Sequence, residues 1–250
     1  MSEPVAWPAG YALLELGEID STNEEARRRA AAEEKRSLWI VAARQSEGRG
    51  RRGRAWQSTS GNLFATLLLH PEKPAGECAQ LSFLAALAVS DMLARFAPHA
   101  GLALKWPNDV LAGGRKIAGI LLESESKADG TAAWLAIGIG VNLTAFPEDT
   151  EFPAISLASV GAAPPAPKDA LLHLAAAFAK WYEVWRTAGF APVREAWLAR
   201  ASGVGSRIRA RLANEEIIGV FQGIDDSGAL LLGLPGGGVR AIAAGEVFFE

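Results

Sequence analysis

A chain of 250 residues, half of them hydrophobic and 21% charged, can bury a large core as one big domain or as one domain with a small companion. Its formal net charge of -3 excludes a general nucleic-acid binder, which needs surplus basic side chains to displace counterions from phosphates. The single cysteine, Cys78, rules out an intrachain disulfide, no Cys and His cluster has metal-ligand spacing, and no uninterrupted apolar run is long enough to cross a bilayer.

Residues 1–10 show no basic segment followed by an apolar one, so a cytoplasmic setting without secretion or membrane insertion is expected. Residues 11–16 read as a short strand. Asp20-Ser21-Thr22-Asn23-Glu24 then opens a helix rich in Ala, Glu and Arg, with Ser21 and Glu24 at capping-box spacing. Residues 38–43 and 62–70 are apolar strands on either side of a glycine- and arginine-rich segment. A long helix is predicted over 77–96, with Leu81, Leu84, Ala88 and Met92 near one face and Cys78 as a small apolar residue at its start. A strand over 102–105 ends at the Trp106-Pro107 breaker, and 109–112, Gly113-Gly114 and 116–124 have hairpin form, with 132–143 as a further antiparallel partner. Residues 146–167 are irregular and proline-rich, and helices follow over 170–186 and 193–201, whose Trp181, Trp185 and Trp197 suit a core. Beyond Gly203, short strands over 207–212, 216–223, 229–232, 239–243 and 247–249 alternate with turn signals, the pattern of a small all-β barrel.

Three segments carry chemistry. Gly48-Arg49-Gly50-Arg51-Arg52-Gly53-Arg54 combines a permissive backbone with planar donors matched to carboxylate or phosphate, so it reads as an anion-clasping mobile loop or as a solvated basic turn. In Lys105-Trp106-Pro107-Asn108-Asp109, a lysine at a strand end offers a point charge for one phosphate, while Asn108 and Asp109 fix the turn or bond a polar ligand edge; without its neighbours, Lys105 is equally a surface lysine. In Gly138-Ile139-Gly140-Val141-Asn142, small residues permit close approach to a ligand or mark tight strand packing, and no helix follows to make a dinucleotide fingerprint.

Taken in order, these segments resemble the biotin protein ligase family. The matching stretches are Ser21-Thr22-Asn23, Gln45 with the arginine segment and Trp56, Lys105 to Val110, Lys116-Ile117-Ala118-Gly119-Ile120-Leu121, Gly138 to Leu143, and Gly223-Ile224-Asp225 with Gly228-Ala229-Leu230-Leu231. The resemblance implies an α/β (α+β) catalytic domain of class II synthetase type over 1–203, with a mainly antiparallel sheet flanked by helices, and an SH3-like β-barrel over 204–250. It implies activation of biotin by ATP with Mg2+ to biotinyl-5'-adenylate, then transfer to a lysine of a biotin carboxyl carrier domain. No tightly bound prosthetic group, nucleic acid or membrane is expected, metal ligands are not identified, and a homodimer is left open.

By the same resemblance, Lys105 and Arg51 are the catalytic cations. Ser21, Thr22, Asn23, Gln45, Gly48, Arg49, Arg51, Lys116 and Gly119 hold biotin, while Arg51, Arg54, Trp56, Lys105, Asn108 and Asn142 hold ATP and the adenylate. Regulatory members carry an N-terminal helix-turn-helix domain, for which residues 1–10 leave no room, so repressor activity is not expected. Ala154-Ile155-Ser156-Leu157 departs from the family pattern, in which Thr often precedes Ser, and no role is assigned to Ser156. A lipoate or octanoate ligase, which needs a narrow aliphatic pocket, and a noncatalytic arginine-based binding module are the competing readings.

Overall fold

The structure, a computed structural model, describes residues 5–148 and 150–249; residues 1–4, Asp149 and Glu250, and with them the outer ends of the two expected units, lie outside it. Strand β1 (Tyr11–Ile19), helix α1 (Thr22–Ala31) and strand β2 (Ser37–Gln45) form a unit whose strands pair in parallel, Ile19 opposite Gln45. The chain then passes through the arginine segment into β3 (Leu63–Leu69), antiparallel to β2. After α2 (Ala75–Cys78) and α3 (Leu81–Phe96) come β4 (Leu102–Lys105), β5 (Asp109–Ala112), β6 (Arg115–Ser126) and β7 (Ala132–Val141). The seven strands lie in the order β1-β2-β3-β7-β6-β5-β4, with only β1 and β2 parallel. The mainly antiparallel expectation therefore holds, and the later strand β7 closes the gap between β3 and β6.

Helices cover both faces, which is why β2 and β3 are apolar almost throughout rather than alternating. Alternate residues still choose sides: Leu38, Ile40, Leu68 and Ala136 pack beneath α1, whereas Trp39, Val41, Leu67 and Ile137 join the larger core under α3, α4 (Pro167–Ala188) and α5 (Ala191–Leu198). Trp185 and Trp197 are buried and Trp181 packs at the edge of that core.

Two local expectations are corrected. The helix expected over 77–96 is broken near Ala79 and Gln80, where Gln80 N bonds Glu77 O and Ser82 N bonds Ala79 O, tightening the ladder from i−4 to i−3. The capping box at α1 does not form: Ser21 makes no side-chain cap bond, the Ser21 N–H donates to Asp20 Oδ1, and the Glu24 carboxylate turns to Arg27 and Arg49. The stretch Ala75–Phe96 is long and apolar enough by composition to cross a bilayer, but it is interrupted by Glu77, Asp91 and Arg95 and mostly buried in the core.

The last five strands, β8 (Arg207–Arg211), β9 (Glu216–Ile224), β10 (Leu230–Gly233), β11 (Val239–Ile242) and β12 (Glu246–Phe249), make one antiparallel sheet in the order β11-β10-β9-β8-β12. Where the sequence suggested a closed barrel, this sheet is open: among the described residues no ladder joins β11 to β12. Ile208, Ala210, Phe221, Leu230 and Val247 merge with the core of the large sheet, and Leu104 exchanges backbone bonds with Arg200 and Ser202, tying the connection to β4.

Candidate functional site

The face of the large sheet that α1 half covers becomes the floor of a cavity of about 370 Å3. Along β7 the side chains on this face shrink from Ala136 to Gly138 to Gly140, while the opposite face keeps Ile137, Ile139 and Val141 for the core. Gly138 lies opposite Thr66 and Leu121, and Gly140 opposite Phe64 and Gly119. The glycines are required by close approach: a Cβ on Gly138 would collide with Asn23 Oδ1, and one on Gly140 with the indole of Trp56. At Gly119 a Cβ would sit 2.9 Å from the same indole. Their strand dihedrals are ordinary, so space and not φ dictates glycine here.

One end of the cavity is a finished hydrogen-bond network. The β1–β2 register brings Gln45 beside the start of α1, where its Oε1 accepts from Thr22 N at 2.8 Å and Thr22 Oγ1 at 3.0 Å. Thr66 Oγ1 lies 2.8 Å from Thr22 Oγ1 and donates to Asn23 Oδ1 at 2.7 Å. Asn23 Nδ2 donates to Glu123 Oε2 at 2.7 Å. Thr22, Asn23 and Thr66 are buried and bonded to one another or to Gln45 and Glu123, so their hydroxyls and amide are held in fixed orientations, while the buried Ser21 makes no side-chain cap bond.

The other end carries charge. The arginine segment folds back on itself through an Arg49–Ala55 bridge and a single 3-10 turn over Arg51–Gly53, with Arg52 and Gly53 in the left-handed region. Three of its arginines are paired: Arg49 with Glu24 and, at 3.5 Å, Glu123; Arg52 and Arg54 with Glu246, a buried carboxylate on β12. Arg51 differs. Its guanidinium donates to Asn108 Oδ1 at 3.3 Å and to Gly245 O at 3.2 Å, neutral acceptors that leave its charge uncompensated, and burial pulls its pKa down.

Lys105 leaves the end of β4 just before the cis Trp106–Pro107 peptide and is only 7% exposed. Burial lowers its pKa to about 8, against the weaker opposing pull of Asp109. Asp109 is engaged by Lys116, whose Nζ lies 2.7 Å from Oδ1, an ion pair by distance although the angles do not make a hydrogen bond. Among the described residues, neither Lys105 nor Arg51 has a carboxylate at ion-pairing distance. Two desolvated cations facing one cavity attract an anion that the protein itself does not supply.

Of the residues expected at the site, Ser21, Thr22, Asn23, Gln45, Arg49, Arg51, Arg54, Trp56, Lys105, Asn108, Lys116, Gly119 and Asn142 all line this cavity. Gly48 does not. It is buried behind the loop, where a Cβ would meet Trp56 O at 2.7 Å, so it lets the loop close instead of meeting a ligand. Trp56, grouped from sequence with the nucleotide, lies across Gly119 and Gly140 with Lys116 Nζ 5.5 Å from its ring, and its buried Nε1 has no partner. Asn142 spends its amide N–H on Ile155 O at 3.1 Å, which joins β7 to the connection after it. Thr66, Glu123 and Phe152 were not singled out from sequence, and no role was assigned to Glu246. Thr66 alone left a signal, a hydroxyl inside the run Leu63-Phe64-Ala65-Thr66-Leu67-Leu68-Leu69.

Residues 17–142 match the biotin/lipoate A/B protein ligase family, and residues 203–250 match the biotin protein ligase C terminal domain. A biotin--[acetyl-CoA-carboxylase] ligase of Paracoccus denitrificans is 48% identical over 240 residues, 94% of this chain and 99% of the relative. The bifunctional ligase/repressor BirA of Bacillus spizizenii is 35% identical over 228 residues, 89% of this chain and 70% of that protein. Among solved structures, biotin protein ligase from Aquifex aeolicus in complex with biotin and ATP superposes with a TM-score of 0.80 at 28% identity, covering 96% of this chain and 98% of that one. The chain belongs to the biotin/lipoate A/B protein ligase family.

Proposed function

We infer that this protein is an ATP-dependent biotin protein ligase, which joins biotin to a lysine of a biotin carboxyl carrier domain through biotinyl-5'-adenylate. The observation that carries the reading is the pairing, in one cavity, of a finished hydrogen-bonding end with an end where Lys105 and Arg51 keep uncompensated charge. Biotin has a polar ureido edge, an apolar bicycle and a carboxylate tail. Thr22, Asn23 and Gln45 suit the ureido edge, the glycine floor suits the bicycle, and Arg51 suits the carboxylate.

In the first step a biotin carboxylate oxygen attacks the α-phosphorus of ATP, the bond to the β-phosphate oxygen breaks, and pyrophosphate leaves. Negative charge builds on the phosphoryl oxygens, and Lys105 and Arg51 are the preorganised cations that meet it. Asn108 orients Arg51, and Arg54, Trp56 and Asn142 line the nucleotide side. In the second step the carrier's lysine amine attacks the mixed anhydride carbonyl and AMP leaves. A closed arginine loop keeps water from that anhydride in the meantime. Mg2+ enters with ATP as part of the substrate.

We read residues 1–203 as the catalytic unit and 204–250 as a unit that closes the site through Glu246 and helps meet the carrier. The carrier of a biotin-dependent carboxylase is the acceptor that the Paracoccus relative's name supports, and the cytoplasm, where ATP and reduced thiols occur, is the setting. The test is biotin-dependent exchange of labelled pyrophosphate into ATP, followed by biotinylation of an isolated carrier domain. Exchange that requires lipoate and ignores biotin would sink the reading.

A further inference from the structure

We propose that Phe152, Phe248 and Phe249 form an aromatic cage that keeps the Lys105 ammonium unpaired while the anion site is empty, with Phe152 as the positioning residue. Lys105 Nζ lies 3.7 Å from the centroid of the Phe152 ring, and 5.8 and 5.7 Å from those of Phe248 and Phe249. Phe152 in turn stacks on Phe248 at 4.9 Å. The cage is drawn from the connection after β7 and from the last strand of the small sheet, and it gives that sheet a part in preparing the lysine.

The neighbouring charges explain why rings and not carboxylates hold this lysine. Asp109, Glu246 and Glu151 all face it. Each is already committed: Asp109 to Lys116, Glu246 to Arg52 and Arg54, and Glu151 to Arg211 at 2.6 Å. Lys116 is the cation that faces Lys105 and repels it, and Arg54 sits 5.7 Å from the Phe152 centroid. Arg209 and Arg211 approach Phe248 at 4.5 and 4.3 Å, so the cage is itself braced by cations. Lys105 and Phe152 line both the main cavity and a second one of about 200 Å3 behind it.

A ring face attracts an ammonium without neutralising it, so an incoming anion has no ion pair to break. A carboxylate partner would have to be displaced by the phosphate, and would itself repel it. The cage also costs the ammonium its water, which is the source of its depressed pKa. Only the identity of the anion rests on the ligase reading; the cage stands on the geometry.

The test is competitive labelling of the ligand-free protein with limiting acetic anhydride across pH, following the Lys105 peptide by mass spectrometry with exposed Lys168 as internal reference. The wild-type midpoint is expected near 8. Phe152→Leu keeps the apolar wall but loses the ring's attraction for the charged amine, so its midpoint falls, by about one pH unit. Phe152→Asn admits water and raises the midpoint by a similar amount, while Phe152→Tyr retains it. Phe249→Leu, at the rim of the cage, gives a smaller fall and serves where a residue 152 variant does not fold. Loss of Lys105 labelling on adding Mg·ATP and biotin tests the ligase reading separately: an unprotected lysine with the expected midpoints leaves the cage and removes the phosphate role. Midpoints that stay unchanged, or that move in the same direction for Leu and Asn, overturn the cage.

Discussion

The two ends of the cavity are built on opposite principles. At the Thr22–Asn23 end, hydrogen bonds between Gln45, Thr22, Thr66 and Asn23 are complete before any ligand arrives. At the Lys105–Arg51 end, the surrounding acids are taken by Lys116, Arg52 and Arg54, leaving the buried Lys105 and the half-buried Arg51 without a carboxylate partner. A neutral polar edge is best met by fixed dipoles, because their orientation is set during folding. A reacting phosphate is best met by charge that has no other partner, because no ion pair has to be broken before that charge meets the phosphoryl oxygens.

The sharpest way to break this contrast is Lys105→Ala. Removing the strand-end ammonium should slow adenylate formation about a hundred-fold or more, equivalent to about 3 kcal/mol or more of lost transition-state stabilisation. The melting temperature should not fall, since burial lowers the pKa of this ammonium and its charge therefore opposes folding below about pH 8. Near-normal pyrophosphate exchange in the folded variant would mean that the charged end is not where chemistry occurs.

At the finished end, Gly138→Ala drives a methyl into Asn23 Oδ1 and disturbs the network through Thr66. Overpacking of this kind costs about 1–3 kcal/mol, so biotin affinity by calorimetry should weaken roughly ten- to a hundred-fold. Unaltered biotin binding would place the ring elsewhere.

The pH dependence separates the ends without mutation. Lys105 acts as a cation, and its pKa near 8 in the empty protein means that the charge is present below pH 8 and lost above it. The value of kcat/KM for ATP should therefore fall, approaching tenfold per pH unit, as pH rises past about 8. Because bound phosphate favours the charged amine, kcat itself should fall only at higher pH. Biotin binding to the neutral end should not follow the same limb.

Smaller effects test the loop that joins the ends. Arg51→Gly removes the unpaired guanidinium and its bonds to Asn108 and Gly245, so adenylate should dissociate about tenfold faster while exchange persists. An unchanged off-rate would make the loop a static turn. Glu246→Gln frees Arg52 and Arg54 and should speed proteolysis within residues 48–54 a few-fold, with a modest loss of exchange. Equal cleavage of variant and wild type would show that the small sheet does not hold the loop.

Much of the site was legible because its chemistry is carried by short, unusual strings. Four arginines among three glycines do not suit a strand or helix, and a lysine before Trp106-Pro107 is fixed at a strand end by the breaker that follows. Strand limits in the large sheet were also readable, since β4 and β5 match their expected bounds and β3 nearly does. Less readable were Glu246, far along the chain from the arginines it binds, and Phe152, in a segment without periodicity.

By itself, then, the sequence determined which segments are strands, which residue types carry charge or hydroxyls, and that the residues at 138 and 140 are small. Those are local properties, set by side-chain volume, periodicity and backbone freedom. Only the tertiary structure decided which charges stay unpaired. Four arginines look alike along the chain, yet packing the small sheet against the loop gives Arg52 and Arg54 a carboxylate and leaves Arg51 with neutral acceptors. Likewise, Lys116 reaches Asp109 first, across the β5–β6 hairpin, and Lys105 is left to the rings. Compensation of charge depends on distances between segments remote in sequence, and no local pattern encodes those distances.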